Sequence, residues 1–445
     1  MATLAILRDS AFESAWRAEA DCRSIALCAP EGKPDRSAPF AEVRDPEAAL
    51  DEDTRFGTEG KSSCGPDAPR CRYFEHRLCR SCSEIALPYD EQCLRKDEHA
   101  RLSLIALGAR ASSCVWEPLV RSASRGFRNR AKMVVSGSLD EPLLGILAED
   151  LTGIDLSECL ICADGIRASL PVLREFIVRA RIPPYDVRTR RGELKYVLVT
   201  IGAEGALMVR FVLRSTEAEV RIRKHMGWLG GELPTLSVLS INLQPNHVAI
   251  IEGEEEIPVL GESLPMPMSP PGALGPILLP PGGFFQTNTE IAQRLYETAA
   301  EWGRVSGAET ATDLFCGVGG FALYLGAAGI PLVRGVELHP GAVAAARRSA
   351  ALWGLESVSF EAGDATARRL GDLVVVNPPR RGLGAALAAS IEVSPATHLI
   401  YSSCNVETLV RDLHQLPSFR LERARVFDMF PHTRHYELLA ALRRD

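Results

Sequence analysis

No apolar run in this chain of 445 residues approaches the ~18 residues that a membrane span needs. No membrane partner is therefore expected. The N-terminus, Met1-Ala2-Thr3-Leu4, lacks a basic stretch followed by a long apolar one, so a signal peptide is not expected. The reading is of a cytoplasmic protein that works as a monomer. Net positive charge is also missing, because 50 Lys and Arg stand against 57 Asp and Glu. That excludes a bulk-basic coat for nucleic acid. The charge is unevenly spread, however. Residues 1–70 hold 9 basic and 14 acidic side chains, which leaves 41 and 43 for residues 71–445. The acidity belongs mainly to the first segment, and the remainder is free to carry a local basic face. Internal repeats are absent. Cysteine is plentiful, at 12 residues. In a large cytoplasmic chain these are read as metal-binding or catalytic rather than as a disulfide framework.

Residues 1–70 read as an acidic, partly disordered extension with a short helix near Ala11–Ala20. Cys22, Cys28 and Cys64 within it have no interpretable spacing. Residues 71–113 hold a tight cysteine cluster and a helix from about Asp90 to Ala109. Residues 114–280 alternate in short β-like runs: Lys132–Gly137, Leu143–Leu147, Leu194–Thr200, Leu207–Leu213, Val238–Leu243 and Val248–Gly253. Helical stretches near Ile166–Ala180 and Thr216–Met226 interrupt them, which predicts an antiparallel α+β domain. A proline-rich segment, 262–283, makes the next boundary. Residues 281–445 then run strand, helix, strand, helix. The strands are Ala311–Phe315, Leu332–Glu337, Val358–Glu361, Leu373–Val376 and His398–Tyr401, with helices at Gly320–Ala328 and Ala342–Trp353. The fold class is α/β, with a doubly wound, Rossmann-like C-terminal domain.

Asp313-Leu314-Phe315-Cys316-Gly317-Val318-Gly319-Gly320 lies where the first of these strands becomes the first helix. Its glycines permit a sharp turn and a close approach to a ligand. The next strand ends at Glu337, an acid placed to accept hydrogen bonds from two ribose hydroxyls. A dinucleotide would want G-x-G-x-x-G; the Asp-x-Phe-x-Gly-x-Gly form favours S-adenosyl-L-methionine, which has no phosphate to cradle. A glycine turn that merely packs helix on strand is the third reading. Asn377-Pro378-Pro379-Arg380-Arg381-Gly382 follows the fourth strand, again at the ligand edge. Methylation of an exocyclic amine fits poorly, since an aromatic residue usually follows Asn-Pro-Pro to stack on the base. Formation of 5-methylcytosine also fits poorly, since those enzymes place a Cys after Pro where Arg380 stands. Ser402-Ser403-Cys404-Asn405 lies just past the strand His398–Tyr401. Position alone leaves Cys404 balanced between a nucleophile and a small buried hydrophobe.

These motifs, with Phe284-Phe285-Gln286-Thr287-Asn288 and the stretch Asp428–Glu437, resemble the uracil-5 RNA methyltransferases from about Cys71 to the C-terminus. Gly126–Met133 and Arg191–Tyr196 share the likeness. The resemblance implies Cys404 as nucleophile and Glu437 as the base that removes the carbon-5 proton. It implies Gln286, Phe315, Glu337 and Asn377 as contacts to S-adenosyl-L-methionine. Many relatives carry Asp where Asn377 stands, and Asn cannot accept a proton there. Within the family the likeness is to short rRNA-modifying members without an N-terminal OB-type domain, which implies uracil 747 of 23S rRNA as the target. The chemistry accounts for the pair of residues. Carbon-5 of uracil is too poor a nucleophile until a thiolate adds to carbon-6, and a carboxylate must then take the carbon-5 proton so that the thiol leaves. A non-catalytic iron–sulfur factor on the same scaffold is the competing class, against which the intact Cys404 and Glu437 argue.

Cys71, Cys79 and Cys82, with a fourth cysteine, suit an iron–sulfur cluster or a zinc site, and spacing alone does not choose between these and unliganded thiols. Cys64, Cys93 and Cys162 are spare candidates. The resemblance implies [4Fe-4S], with Cys159 in a Leu-Ser-Glu-Cys context as the fourth ligand. Two basic groups, Arg121, Arg125, Arg128, Arg130 and Lys132, then Arg188, Arg190, Arg191 and Lys195, are candidates to neutralise phosphates. A base whose carbon-6 is attacked must be unstacked and extruded, so a hairpin loop or single strand is the expected substrate.

Overall fold

The computed structural model describes residues 69–268, 275–367 and 369–445. The helix expected near Ala11–Ala20, with Cys22, Cys28 and Cys64, lies outside the described residues. The C-terminal half is built on an eight-stranded sheet. Its order is Val115–Val120, Phe419–Phe427, Glu437–Arg444, His398–Ser403, Leu373–Val376, Thr310–Leu314, Leu332–Glu337 and Val358–Ala362. Counted from Thr310 in chain order, the strands lie 3-2-1-4-5-7-6. The seventh, Glu437–Arg444, runs antiparallel to both neighbours.

The central strands are apolar throughout because both faces are covered. Along Leu373–Val376, Leu373 and Val375 join the core beneath helices Thr289–Val305, Gly320–Ala327 and Pro340–Leu352. Val374 and Val376 join the core on the opposite face with Val406–Leu413 and Ala385–Glu392. This alternation is the period-two geometry of a strand. Asn288 starts the helix Thr289–Val305, its side chain accepting from the Ile291 N–H, as an N-cap does.

The seven-stranded central sheet runs Gly153–Asp155, Pro142–Leu147, Arg130–Gly137, Leu194–Ile201, Leu207–Leu213, Leu236–Leu243 and Glu255–Leu260. It is antiparallel except where Leu207–Leu213 meets Leu236–Leu243. Helices Asp164–Arg179 and Glu219–Glu232 cover one face. Met208 and Val238 of this sheet belong to the same core as helices Thr289–Val305, Gly320–Ala327 and Pro340–Leu352, so the two units share an apolar joint.

Two expectations are corrected. The boundary at 114 fails for its first strand. Val115–Val120 belongs to the C-terminal sheet, parallel to Phe419–Phe427, and Glu117 is fixed there by the Trp302 Nε1–H at 2.9 Å. The expected strand Val248–Gly253 is not one; the ladder is made by Glu255–Leu260. Ala249 and Ile251 instead pack as side chains on Tyr196, Leu198 and Val212, while Glu252 turns inward to Arg210 and Lys132.

Candidate active site

Strand register sets the site. Leu314 pairs with Val336 and with Val376, and Val376 pairs with Tyr401. The following residues, Phe315, Glu337, Asn377 and Ser402, therefore stand level at the carboxyl edge of the sheet, where open α/β folds bind ligands. On the other side of the central strand, Ser403 pairs with Leu438. The ladder ends there: Cys404 follows Ser403 and Glu437 precedes Leu438, so both lie at this end of the two strands. Cys404 is half-buried and Glu437 buried.

The glycine turn is bent as the motif requires. Gly319 has φ +91°, and a Cβ there would fall 2.7 Å from the Phe360 ring. Gly317, at φ +55°, donates its N–H to Glu337 Oε2 at 3.1 Å, and Glu337 Oε1 accepts the His339 N–H at 2.8 Å. The acid is thus tied to the turn it faces. Phe315 itself is left-handed, at φ 63°, a conformation costly for a residue with a side chain. The Phe284 carbonyl lies 4.0 Å from the Gly317 Cβ direction, so the stretch leading to Gln286 closes over the turn. Gln286 is buried, and Asn129 Nδ2 donates to its carbonyl at 2.9 Å.

Two buried carboxyls are perturbed upward. Burial pushes Glu437 up to about 7, against the Ser402 hydroxyl, which donates to Oε1 at 2.5 Å and lowers it. A group near neutrality suits proton transfer at physiological pH. Burial likewise pushes Asp313 up to about 8. Asp313 Oδ2 accepts the Ala322 N–H at 3.0 Å, while Oδ1 is buried without a partner. The Tyr296 phenol is raised by burial and by both of these carboxyls. The sequence named neither Ser402 nor Tyr296 as a site residue; Ser402 was signalled by the Ser-Ser-Cys-Asn motif, whereas nothing local marks Tyr296. Cys316 is buried in the glycine turn, and burial pushes its thiol well up, away from the thiolate form a nucleophile needs.

The four expected cluster cysteines converge. Tyr73 packs in the central core with Cys71, Cys79 and Cys159 against it, and its hydroxyl accepts the Glu158 N–H at 3.2 Å. Burial, with Cys159, Cys79 and Cys71 close by, pushes the Cys82 thiol up to about 12. A hydrogen bond with Cys162 sets Cys159 down to about 6. Among the described residues no three His, Cys, Asp or Glu side chains close around a point as they would about one metal ion.

The basic groups divide. Arg121, Arg125, Arg188, Arg190 and Arg191 are exposed. Arg130 and Lys132 sit two apart on one strand and so share a face; Arg130 is buried, and Lys132 is half-buried and pairs with Glu252 at 2.9 Å. Lys195 is buried, donates to the Asn246 carbonyl at 2.6 Å, and is pushed down to about 8 by burial. Arg130 and Lys195 are buried and Lys132 is half-buried, so none of the three is the exposed side chain expected of a phosphate contact.

The strand order, the glycine turn with its terminal acid, and the row of edge residues define an S-adenosyl-L-methionine-dependent methyltransferase. Comparisons with known proteins sharpen this. The family model for tRNA (uracil-5-)-methyltransferase matches residues 367–445. The 23S rRNA (uracil(747)-C(5))-methyltransferase RlmC of Halothiobacillus neapolitanus is 46% identical over 383 residues, 84% of this chain and 99% of the relative. That of Escherichia coli is 41% identical over 385 residues, again 84% and 99%. Among solved structures, the tRNA (uracil-54, C5)-methyltransferase of Pyrococcus abyssi, in complex with S-adenosyl-L-homocysteine, superposes with a TM-score of 0.66 at 25% identity. It covers 81% of this chain and 85% of its own. The chain belongs to the uracil-5 RNA methyltransferase family. Among the described residues no helix is long and apolar enough to cross a membrane.

Proposed function

We propose that this protein methylates carbon-5 of uracil 747 in 23S rRNA, in the cytoplasm and as a monomer. The observation that supports the reading is the buried Glu437 carboxyl accepting from Ser402, two residues before Cys404, at the ligand edge, and the long match to relatives of that name supports the target. When bound, S-adenosyl-L-methionine supplies an electrophilic methyl group. Glu337 and the Gly317 turn would hold its ribose, and Gln286, Phe315 and Asn377 would line the remainder. The Cys404 thiolate adds to carbon-6 of the extruded uracil, and the ring becomes an enolate whose carbon-5 takes the methyl group, the S–CH3 bonding pair leaving with S-adenosyl-L-homocysteine. Glu437 then accepts the carbon-5 proton. The electrons of that C–H bond form the C5=C6 double bond, and the C6–S bond breaks to return the thiolate. Exposed Arg125, Arg188, Arg190 and Arg191 would hold the RNA by its phosphates.

The test is a pair of substitutions. Cys404→Ala should abolish both methylation and covalent adduct, while Glu437→Gln should trap a methylated RNA–protein complex that survives denaturing electrophoresis. An adduct with Cys404→Ala, or normal turnover with Glu437→Gln, means the roles are misassigned. Mass spectrometry of rRNA and tRNA from a deletion strain reads the target; unchanged 5-methyluridine at uracil 747 sinks it.

We also propose a [4Fe-4S] cluster on Cys71, Cys79, Cys82 and Cys159, a donor set that suits it. Anaerobically purified protein should be brown, with a broad band at roughly 400 nm, as thiolate-ligated iron–sulfur centres show. Zinc at one equivalent without iron refutes this.

A further inference from the structure

The helix Tyr89–Leu104 buries Gln92, Lys96, Ala100 and Leu104, four residues apart each time and so on one face. Ala100 and Leu104 pack in the catalytic core. Gln92 and Lys96 are polar yet only 0% and 2% exposed. Polar groups persist at such depth when they are hydrogen-bonded. Lys96 Nζ donates to Asp428 Oδ1 at 2.6 Å and to the Phe430 carbonyl at 3.0 Å. The Tyr89 hydroxyl donates to Asp428 Oδ2 at 2.7 Å. Gln92 Oε1 accepts the His432 N–H at 2.9 Å, and its amide donates to the Glu84 and Leu87 carbonyls.

All of these partners except Glu84 and Leu87 lie in residues 428–436, the loop between strands Phe419–Phe427 and Glu437–Arg444. The loop is gripped along its length. His432 is left-handed, at φ 66°, and its carbonyl accepts the Glu84 N–H at 2.9 Å. Its ring Nε2 lies 2.7 Å from the Ser124 carbonyl, which fixes that nitrogen as the donor. At the loop's far end, next to Glu437, the Tyr436 hydroxyl is 2.8 Å from His99 Nδ1 on the same helix. Glu84 stands two residues beyond Cys82, so the grip begins in the cysteine segment.

We propose that the helix Tyr89–Leu104 positions the base: Lys96, Gln92 and His99 set the loop so that Glu437 meets the carbon-5 proton. The step they serve is elimination, in which that proton passes to Glu437 and the C6–S bond to Cys404 breaks. Addition and methyl transfer come earlier and do not need the base. The inference rests on Glu437 being that base. Lys96 and Gln92 are positioning residues, and their loss should separate the two halves of the reaction.

The experiment uses the full-length protein, unmodified 23S rRNA and methyl-labelled S-adenosyl-L-methionine in a single turnover. In Lys96→Met, label should enter the RNA at a rate within about 3-fold of the parent, while decay of the labelled covalent complex slows at least about 10-fold, since small misplacements are that costly. Lys96→Arg, which keeps the charge, should restore decay to within about 3-fold. If Lys96→Met does not fold, judged by its thermal melt, the double variant Lys96→Met/Asp428→Asn replaces it under the same criteria. Unchanged decay, or equal slowing of both steps, overturns the proposal. Glu437→Gln is run alongside. If it traps no complex, the base assignment itself has failed; if it traps and the Lys96 variants decay normally, only the positioning role has failed.

Discussion

Replacing Ser402 by alanine removes the hydroxyl that donates to the Glu437 carboxylate at 2.5 Å. That hydrogen bond favours the ionised form, so its loss must raise a carboxyl that burial already holds at about 7. A hydrogen bond to a charged group contributes about 1.5–3 kcal/mol, and 1.36 kcal/mol is one pH unit, so the shift is about 1–2 units. The base must be ionised to accept the carbon-5 proton. At pH 7 the ionised fraction would fall from about one half to between about 9% and 1%, a slowing of roughly 5- to 50-fold in elimination. The assay is decay of the methylated RNA–protein complex after rapid mixing, from pH 6 to 9.5. The acid limb should move from about 7 in the parent to about 8–9 in Ser402→Ala, and the two rates should converge within about 2-fold at the alkaline end. A limb that stays in place or moves to lower pH refutes the electrostatic argument. A uniform loss at every pH would show that Ser402 orients Glu437 rather than setting its ionisation.

Glu337→Ala removes the acceptor of the Gly317 N–H and the expected ribose contact, so affinity for S-adenosyl-L-methionine should fall about 100-fold by titration calorimetry; a loss under about 3-fold would show that the acid does not face the ribose. Asp313, raised to about 8 by burial, is favoured neutral in the fold. Its contribution to stability is complete below about pH 4 and is lost progressively as pH rises through about 8. Asp313→Asn escapes this loss while keeping an oxygen for the Ala322 N–H, so its melting temperature should gain on the parent between pH 5 and 8, by on the order of 4 kcal/mol in stability at pH 7. A difference independent of pH would show that Asp313 is not held neutral.

The legible parts of this protein were those whose signal is local. Leu207–Leu213, Leu332–Glu337 and Leu373–Val376 form strands at the bounds their apolar runs mark out. The glycine turn is legible because φ +91° at Gly319 and the Phe360 ring behind it leave no room for another residue. Cys404 and Glu437 were proposed through their motifs and the family likeness, whereas the bond between Ser402 and Glu437, 35 residues apart, depends on how two strands meet. What stayed hidden depends on distant partners. Lys96 reads as an ordinary helix charge until Asp428, 332 residues on, is placed beside it. Arg130 and Lys132 read as RNA contacts because alternation gives a face but not which side is solvent. Ala249 and Ile251 have the apolarity of a strand and use it in side-chain packing instead.

The strand Val115–Val120 bears on how the molecule comes into being. It lies against Phe419–Phe427, made three hundred residues later, so the sheet cannot be completed until nearly the whole chain has left the ribosome. Until then the early strand waits without its partner. Pro118 suits that outer position, since a residue without an N–H offers less to a stray strand. The same arrangement means that the catalytic half is not a separable module. A fragment beginning at residue 281 would keep the glycine turn, Cys404 and Glu437, but Phe419–Phe427 would be left as a bare edge, open to pairing with another copy.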